Sequence, residues 1–230
     1  MNTKQFRRFT YFIQTVPRNI NAFFESTDWH RLLEKPEMKE IHDLKIYRKG
    51  MDYFILLDTS AILDNKALLK ALNRIKAFQL LQEKLTANGT SSAQLSKPLE
   101  RIFELEQQDV YSPEEGQLKN SIGKHKRFVW TLLLEPTLID EYKRVHAMGM
   151  AWPEITNNLK TIGVKDMEIY LYENRAFLIM DTVPGFDLEK VSPTWQKMPR
   201  ENEWQEYVAK FQQTSQGSSI QEKWQSMVKI

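Results

Sequence analysis

The sequence predicts an α+β protein made of tandem ferredoxin-like domains that form an intramolecular, pseudo-dimeric α+β barrel. Three observations carry that expectation. The chain repeats its own order of apolar runs at offsets of 119 to 123 residues. Each repeat reads strand, helix, hairpin, helix, strand, the β-α-β-β-α-β order. Its 230 residues leave room for two domains of about 110 residues each.

The repeat is read from three matched runs. Arg8 to Pro17 and Arg127 to Pro136 are both aromatic, β-branched and aliphatic stretches that end at proline, 119 residues apart. Lys45-Ile46-Tyr47 matches Glu168-Ile169-Tyr170, 123 residues on. At the same offset Phe54-Ile55-Leu56-Leu57-Asp58-Thr59 matches Phe177-Leu178-Ile179-Met180-Asp181-Thr182.

In the second copy, residues 128–134 read as a buried strand. Thr137 can cap a helix running to about Met148, with Asp140 and Glu141 in its first turn. Pro153 suits the first turn of a second helix, which Gly163 stops. Residues 167–172 and 175–182 are strands joined across Glu173-Asn174. Residues 187–198 and 200–213 are helical pieces, and 224–230 a last strand. The first copy follows the same order, with strands at 9–15, 44–49, 53–59 and 99–105 and a long helix at 64–85. Such a sheet carries helices on one face, so its other face needs a partner, and a tandem copy supplies one. The expected division is residues 1–107, a linker at 108–124, and 125–230.

Composition bounds the function. Lys+Arg number 32 and Asp+Glu 30, a net charge of +2 that gives no general reason to bind nucleic acid or an anionic membrane. There is no cysteine, which excludes disulfides, thiolate metal sites and a cysteine nucleophile. The four histidines show no metal-ligand spacing, and no phosphate-binding glycine loop appears. No metal or cofactor is expected. The stretch from Phe9 to Val16 is too short and polar for a signal-peptide core, and no run is long enough to span a membrane, so a cytoplasmic protein is expected. Asn88-Gly89-Thr90 reads as a turn. Lys119, Lys124, His125, Lys126 and Arg127 form a basic cluster, read as a solvated linker or a phosphate patch.

Tyr142 and His146 lie four apart and share one helix face. His146 stands at the helix C-terminal end, where the macrodipole favours a protonated imidazole. It is either a proton-transfer group or a partly exposed helix histidine beside a core tyrosine. Trp204, flanked by polar residues on the last helix, is either a stacking platform for a sugar ring, with Gln205 as a hydroxyl partner, or a core residue. Trp195 and Trp224 read as core. Glu154, Glu168 and Asp181 are nearby acids, and a paired-carboxylate mechanism would need two of them to face each other.

Taken together, residues 127–230 resemble the L-rhamnose mutarotase family, including its L-fucose-linked relatives. The resemblance rests on residues 141–146 (Glu-Tyr-Lys-Arg-Val-His), 152–155 (Trp-Pro-Glu-Ile), 167–171 (Met-Glu-Ile-Tyr-Leu), 177–181, 203–206 (Glu-Trp-Gln-Glu) and 222–224. It implies dimeric α+β barrels that interconvert α and β anomers of a 6-deoxy-hexose without metal or cofactor. It implies His146, as a proton donor that is the acid for ring opening and the base for reclosing, and Tyr142 as catalytic residues, and Trp204, Gln205, Trp152 and Met167 at the sugar. Three departures bear on which sugar is used. Gln205 stands where the family has a second aromatic, Met167 stands where it has a tyrosine, and five residues separate His146 from Trp152 instead of three. In the first copy His146 falls on Thr27 and Tyr142 on Phe23, so residues 1–107 read as a degenerate copy. The expected partner is a monosaccharide, with further oligomerisation open. Two alternatives accompany this reading: a non-catalytic sugar-binding or interaction module, and a cofactor-free or haem-degrading oxygenase of the same fold.

Overall fold

The computed structural model describes residues 5–14, 18–87, 95–213 and 224–230. The Asn88 turn, the loop at 89–92 and Glu222-Lys223 lie outside the described residues. The chain divides into two compact units. Unit 1 comprises residues 1–100, 111–121 and 228–230, and unit 2 comprises 101–110 and 122–227. Both are α+β, each with one five-stranded sheet and helices.

The strands of unit 1 are β1 (Gln5–Gln14), β2 (Ile41–Lys49), β3 (Asp52–Ser60), β5 (Gln117–Asn120) and β10 (Val228–Lys229). Their order is β10-β2-β3-β1-β5, antiparallel throughout. Helices α1 (Arg18–Ser26), α2 (Trp29–Leu33), α3 (Asn65–Leu72) and α4 (Lys76–Ala87) accompany it. The side chains of Phe9, Tyr11, Ile13, Tyr53, Ile55 and Leu57 alternate onto the face that packs with Leu68, Phe78 and Leu81 from the helices. The expected helix over 64–85 breaks between α3 and α4. Arg74 and Ile75 donate their N–H groups to Ala71 and Leu72, three residues back, which overwinds the chain there.

Unit 2 holds β4 (Glu100–Glu104, apart from its first residue), β6 (Lys126–Leu133), β7 (Val164–Tyr172), β8 (Arg175–Thr182) and β9 (Gln225–Ser226). The sheet order is β4-β7-β8-β6-β9, and β7, β6 and β9 pair antiparallel as far as their registers run. Within it, β9-β6-β8-β7 is the ferredoxin-like arrangement of the four strands from this half. Helices α5 (Ile139–His146), α6 (Pro153–Thr161), α7 (Leu188–Trp195) and α8 (Glu201–Ala209) complete it. Gly163 holds φ +103° and ends the turn after α6, a conformation other residues rarely take.

The two units repeat each other in detail. Both second strands carry a register shift, at Ile41/Asp43 and at Val164/Asp166. Both first and third strands are tied by an arginine–aspartate pair: Arg8 to Asp58 at 2.8 Å, and Arg127 to Asp181 at 2.6 Å. In unit 1 the N–H of Leu99 donates to Thr10, and in unit 2 that of Met227 donates to Val129. Thr10 and Val129 are themselves 119 residues apart.

The structure departs from the expected linker. Residues 113–115 form a 3-10 turn and 117–120 form β5, hydrogen-bonded to β1. Three members of the basic cluster are built into the fold. Lys119 is buried on β5, Arg127 holds Asp181, and the ammonium of Lys126 donates to the Phe186 carbonyl at 2.9 Å.

Candidate active site

Helix α5 places Tyr142 and His146 one turn apart on its buried face. Acidic Asp140 and Glu141 occupy its first turn and Lys143, Arg144 and His146 its last, the order the helix dipole favours. Thr137 does not cap it. Its hydroxyl donates to the Glu135 carboxylate at 3.2 Å, and Leu138 precedes the helix with no side-chain cap.

His146 is 6% exposed. Its Nδ1 lies 2.9 Å from the Tyr142 carbonyl oxygen. A carbonyl only accepts, so this assigns the proton to Nδ1 and the lone pair to Nε2. Burial lowers the imidazole pKa to about 4, with the hydrogen bond to Tyr142 opposing it. The ring is therefore neutral near pH 7, which corrects the expected protonated form. A shift of that size corresponds to about 3 kcal/mol, against the ~0.3–1 kcal/mol that a helix C-terminus usually supplies. Desolvation wins. Burial also raises the Tyr142 phenol, which keeps its proton.

Aromatic rings surround this imidazole. Tyr142 is 4.2 Å away between centroids, Trp204 5.7 Å edge-on, and Phe103 of β4 6.1 Å edge-on. Trp204 meets Trp152 at 5.3 Å, and Trp152 stacks with Tyr207 at 5.8 Å. Phe211 closes the group against Tyr142 and Tyr207. Of the polar flanks of Trp204, Glu203 is exposed and Gln205 half-buried, while the tryptophan itself is 9% exposed and packs into the core.

Tyr142, His146, Trp152 and Trp204 thus come together as the sequence grouped them. Gln205 and Met167 take other partners. The Gln205 amide donates to Glu201 at 2.9 Å, and the other oxygen of buried Glu201 accepts from Asn158 at 3.2 Å. Met167 packs against the same hydrophobic core, and its carbonyl accepts from the N–H of Leu105. The three acids do not face one another. Glu168 accepts from the Tyr170 hydroxyl at 2.8 Å and pairs with Arg101, Asp181 pairs with Arg127, and Glu154 pairs with Arg200. Trp195 and Trp224 are partly buried against the core.

Sequence reasoning missed Phe103, Tyr207 and Arg200. Tyr207 lies three residues after Trp204 and was legible by helical spacing. Phe103 comes from the other half of the sequence, and Arg200 from a turn, so neither carried a local signal.

Unit 1 offers a contrast at the matching positions. The hydroxyl of Thr27 donates to the Phe23 carbonyl at 2.6 Å, as the imidazole of His146 does to Tyr142. Phe23, Phe24, Trp29 and Phe78 fill the surroundings with rings. A cavity of about 670 Å³ in unit 1 is lined by Asp64, Lys66, Lys70, Arg74 and Glu114, and contains none of these aromatics. Among the described residues no group of three histidine, aspartate or glutamate side chains could hold a metal ion, and no helix is long and apolar enough to cross a membrane.

Comparison with known proteins finds its family match in the second half of the chain. The family model for L-rhamnose mutarotase matches residues 127–230, somewhat under half of the chain. An L-fucose mutarotase from Xanthomonas campestris pv. campestris is 27% identical over 103 residues, which is 45% of this chain and 82% of that protein. A UPF0734 protein from Dictyostelium discoideum is 32% identical over 83 residues, 36% of this chain and 65% of that one. Among solved structures, a provisionally named monooxygenase from Lactobacillus acidophilus NCFM covers 98% of this chain and 94% of its own, at 8% identity and a TM-score of 0.46. An anthrone oxidase-like protein covers 99% and 92%, at 10% identity and a TM-score of 0.47. Over residues 127–230, the stretch that carries His146 and Trp204, the chain is similar to the L-rhamnose mutarotase family.

Proposed function

We propose that the protein is a mutarotase that interconverts the anomers of a 6-deoxy-hexose such as L-rhamnose or L-fucose, with His146 as its proton-transfer group. One observation carries the reading: a buried neutral histidine whose tautomer is fixed by Tyr142 sits among tryptophans, inside the region similar to sugar mutarotases.

The chemistry needs few groups. Nε2 of neutral His146 takes the proton from the anomeric hydroxyl. The C1–O5 bond breaks, its electron pair goes to O5, and C1 becomes the aldehyde carbon. The imidazolium then returns the proton to O5. Rotation about C1–C2 and the reverse steps close the other anomer, with atoms and charge unchanged overall. This order, base first, follows from the depressed pKa. Tyr142, holding its proton, donates a hydrogen bond to a sugar oxygen. A positioned acid or base contributes about 10²–10⁴-fold, which suffices for a reaction that also runs unaided. Trp204 and Trp152 meet the apolar side of the sugar. No metal or cofactor takes part.

Residues 1–107 are, on this proposal, a degenerate tandem copy. The matched strand registers, the paired Arg8–Asp58 and Arg127–Asp181, and the shared hydrogen bond at Thr27 and His146 support it. Thr27 has no group that titrates near neutrality, so one sugar per chain is expected. The test is saturation-transfer NMR between anomeric protons of L-rhamnose, L-fucose and other sugars. Exchange faster than the buffer rate supports the reading. Binding without faster exchange would replace it with a sugar-binding module.

A further inference from the structure

Helix α3 carries its charges against the usual order. Lys66 in its first turn and Lys70 one turn on share a face, and Arg74 follows four residues later. No acid stands three or four residues from any of them. In unit 2, by contrast, helix cations are paired at that spacing: Arg144 with Glu141, Lys190 with Asp187 and Arg200 with Glu203. Among the described residues the side chains of Lys66, Lys70 and Arg74 make no hydrogen bond or ion pair. Like charges at this spacing repel, and a lysine at a helix start opposes the dipole.

The counterpart in unit 2 has the usual arrangement. Asp64 caps α3 by accepting from the N–H of Ala67 at 2.7 Å, and Asp187, 123 residues on, caps α7 through the N–H of Lys190 at 3.4 Å. At that offset Lys66 meets Glu189 in the first turn of α7, Lys70 meets Pro193 and Arg74 meets Lys197. The row of cations is therefore peculiar to unit 1. A local rule broken with no structural gain points to a function.

The three cations line a cavity of about 670 Å³, a volume in the range of small-molecule sites, about 300–1,000 Å³. Asp64, Leu69 and Asn73 line it from the same stretch, and Glu114 from the 3-10 turn Pro113–Glu115, which packs on α3. The walls are pinned. Arg7 donates to the Ala61 carbonyl, three residues before Asp64, at 2.8 Å, and to the carbonyls of Glu115 and Gly116 at 3.0 Å. One arginine thus fixes both sides. Gly116 holds φ +72°, and a Cβ there would run into the Phe9 ring, so the turn seats closely on β1. Buried Asn65 accepts from the Tyr11 hydroxyl at 2.7 Å and donates to the Ser96 carbonyl at 2.9 Å, which anchors the start of α3.

We propose that this cavity binds a phosphorylated monosaccharide, with Lys66, Lys70 and Arg74 at the phosphate and Asp64, Asn73 and Glu114 at the hydroxyls. A phosphate monoester carries about −1.5 to −2 charge at pH 7, which unpaired cations meet with charge-assisted hydrogen bonds. Ionised Asp64 and Glu114 accept from hydroxyls and repel further anionic groups, so a polyanion such as nucleic acid is disfavoured. Leu69 offers an apolar surface to the C–H side of a sugar ring. The inference stands apart from the chemistry proposed at His146.

Isothermal titration calorimetry of the full chain tests it. The probes are glucose 1-phosphate, glucose 6-phosphate and fructose 1-phosphate, with inorganic phosphate and free glucose for comparison. At least one hexose phosphate is expected to bind once per chain, about ten-fold or more tighter than inorganic phosphate, and more weakly as salt is added. Lys70→Gln and Arg74→Gln should each weaken it about ten-fold. Lys66→Glu should abolish it while the melting temperature holds or rises, because an acid suits the first turn. That variant separates lost binding from lost folding. Glu114→Gln should narrow the preference for hexose phosphate over inorganic phosphate. His146→Gln should bind as the wild type does, and dependence on His146 would move the ligand to unit 2 and overturn the assignment. It is also overturned if no hexose phosphate binds more tightly than inorganic phosphate, or if Lys66→Glu and Arg74→Gln bind unchanged. Absence of anomer exchange in the wild type would remove the mutarotase reading and leave this site standing.

Discussion

The Nδ1–H of His146 is tied to the backbone carbonyl of Tyr142, one turn back, at 2.9 Å, and this fixes which ring nitrogen is left for chemistry. Removing the ring removes the proposed base. His146→Ala and His146→Gln should both lose anomer exchange down to the rate in buffer, a loss of about 10²–10⁴-fold. The glutamine variant fills most of the space and should stay folded. Saturation-transfer NMR measures the exchange and circular dichroism the fold. More than a tenth of wild-type exchange in folded His146→Gln would take His146 out of the proton-transfer role.

The same burial makes a stability prediction. His146 has a folded pKa of about 4 against an ordinary 6.5. Between these values the unfolded chain takes up a proton that the folded histidine refuses. Stability from this group is thus whole above pH 6.5 and is lost as pH falls toward 4, by up to about 3 kcal/mol. Carboxylates titrate in the same window, so the comparison is with His146→Gln. Urea unfolding at several pH values should show a steeper acid loss in the wild type than in the variant. Parallel curves would mean that the imidazole titrates normally in the folded protein.

Trp204 and Trp152 should separate in their behaviour. Trp204 is buried against Val208, Tyr142 and Phe211 in the core, so Trp204→Ala should cost about 3–5 kcal/mol as well as sugar affinity. Trp152 is half-buried, and Trp152→Ala should cost less stability while changing KM. Denaturant midpoints and sugar titrations measure both. Equal stability losses would place Trp152 in the core too.

What the sequence made legible follows from local pattern. The hairpin at Glu173-Asn174, the strands on either side of it, and the helix face shared by Tyr142 and His146 all rest on neighbours within a few residues. The offsets of 119 to 123 residues match Thr27 to His146 by sequence alone. What stayed hidden depends on distant partners. Protonation of His146 is decided by Phe103, Trp204 and the rest of the cluster, which no helix position reveals. Residues 64–85 keep a helical apolar spacing through Leu68, Leu72, Ile75, Phe78 and Leu81, so the break at residues 73–75 leaves no gap in the pattern. The run Glu100–Glu104 reads as a strand, but its residues do not say which sheet it joins.

That last point yields a test of how the C-terminal half is built. Strand β4 comes from the N-terminal half of the sequence yet lies at the β7 edge of the unit 2 sheet. Ile102, Phe103 and Leu105 are buried there in the same core as Tyr142 and Trp204, and Phe103 sets its edge against His146. A fragment of residues 125–230 lacks all three. It would expose the β7 edge and open a gap beside the imidazole, since an unpaired edge invites other chains. The fragment should therefore aggregate or self-associate on size exclusion. In the full chain, Phe103→Ala should cost about 3–5 kcal/mol and, by letting water reach His146, should raise its pKa toward 6.5. Proton NMR of the imidazole follows that titration. A monomeric, folded 125–230 fragment with wild-type anomer exchange would show that β4 contributes neither to the core nor to the site.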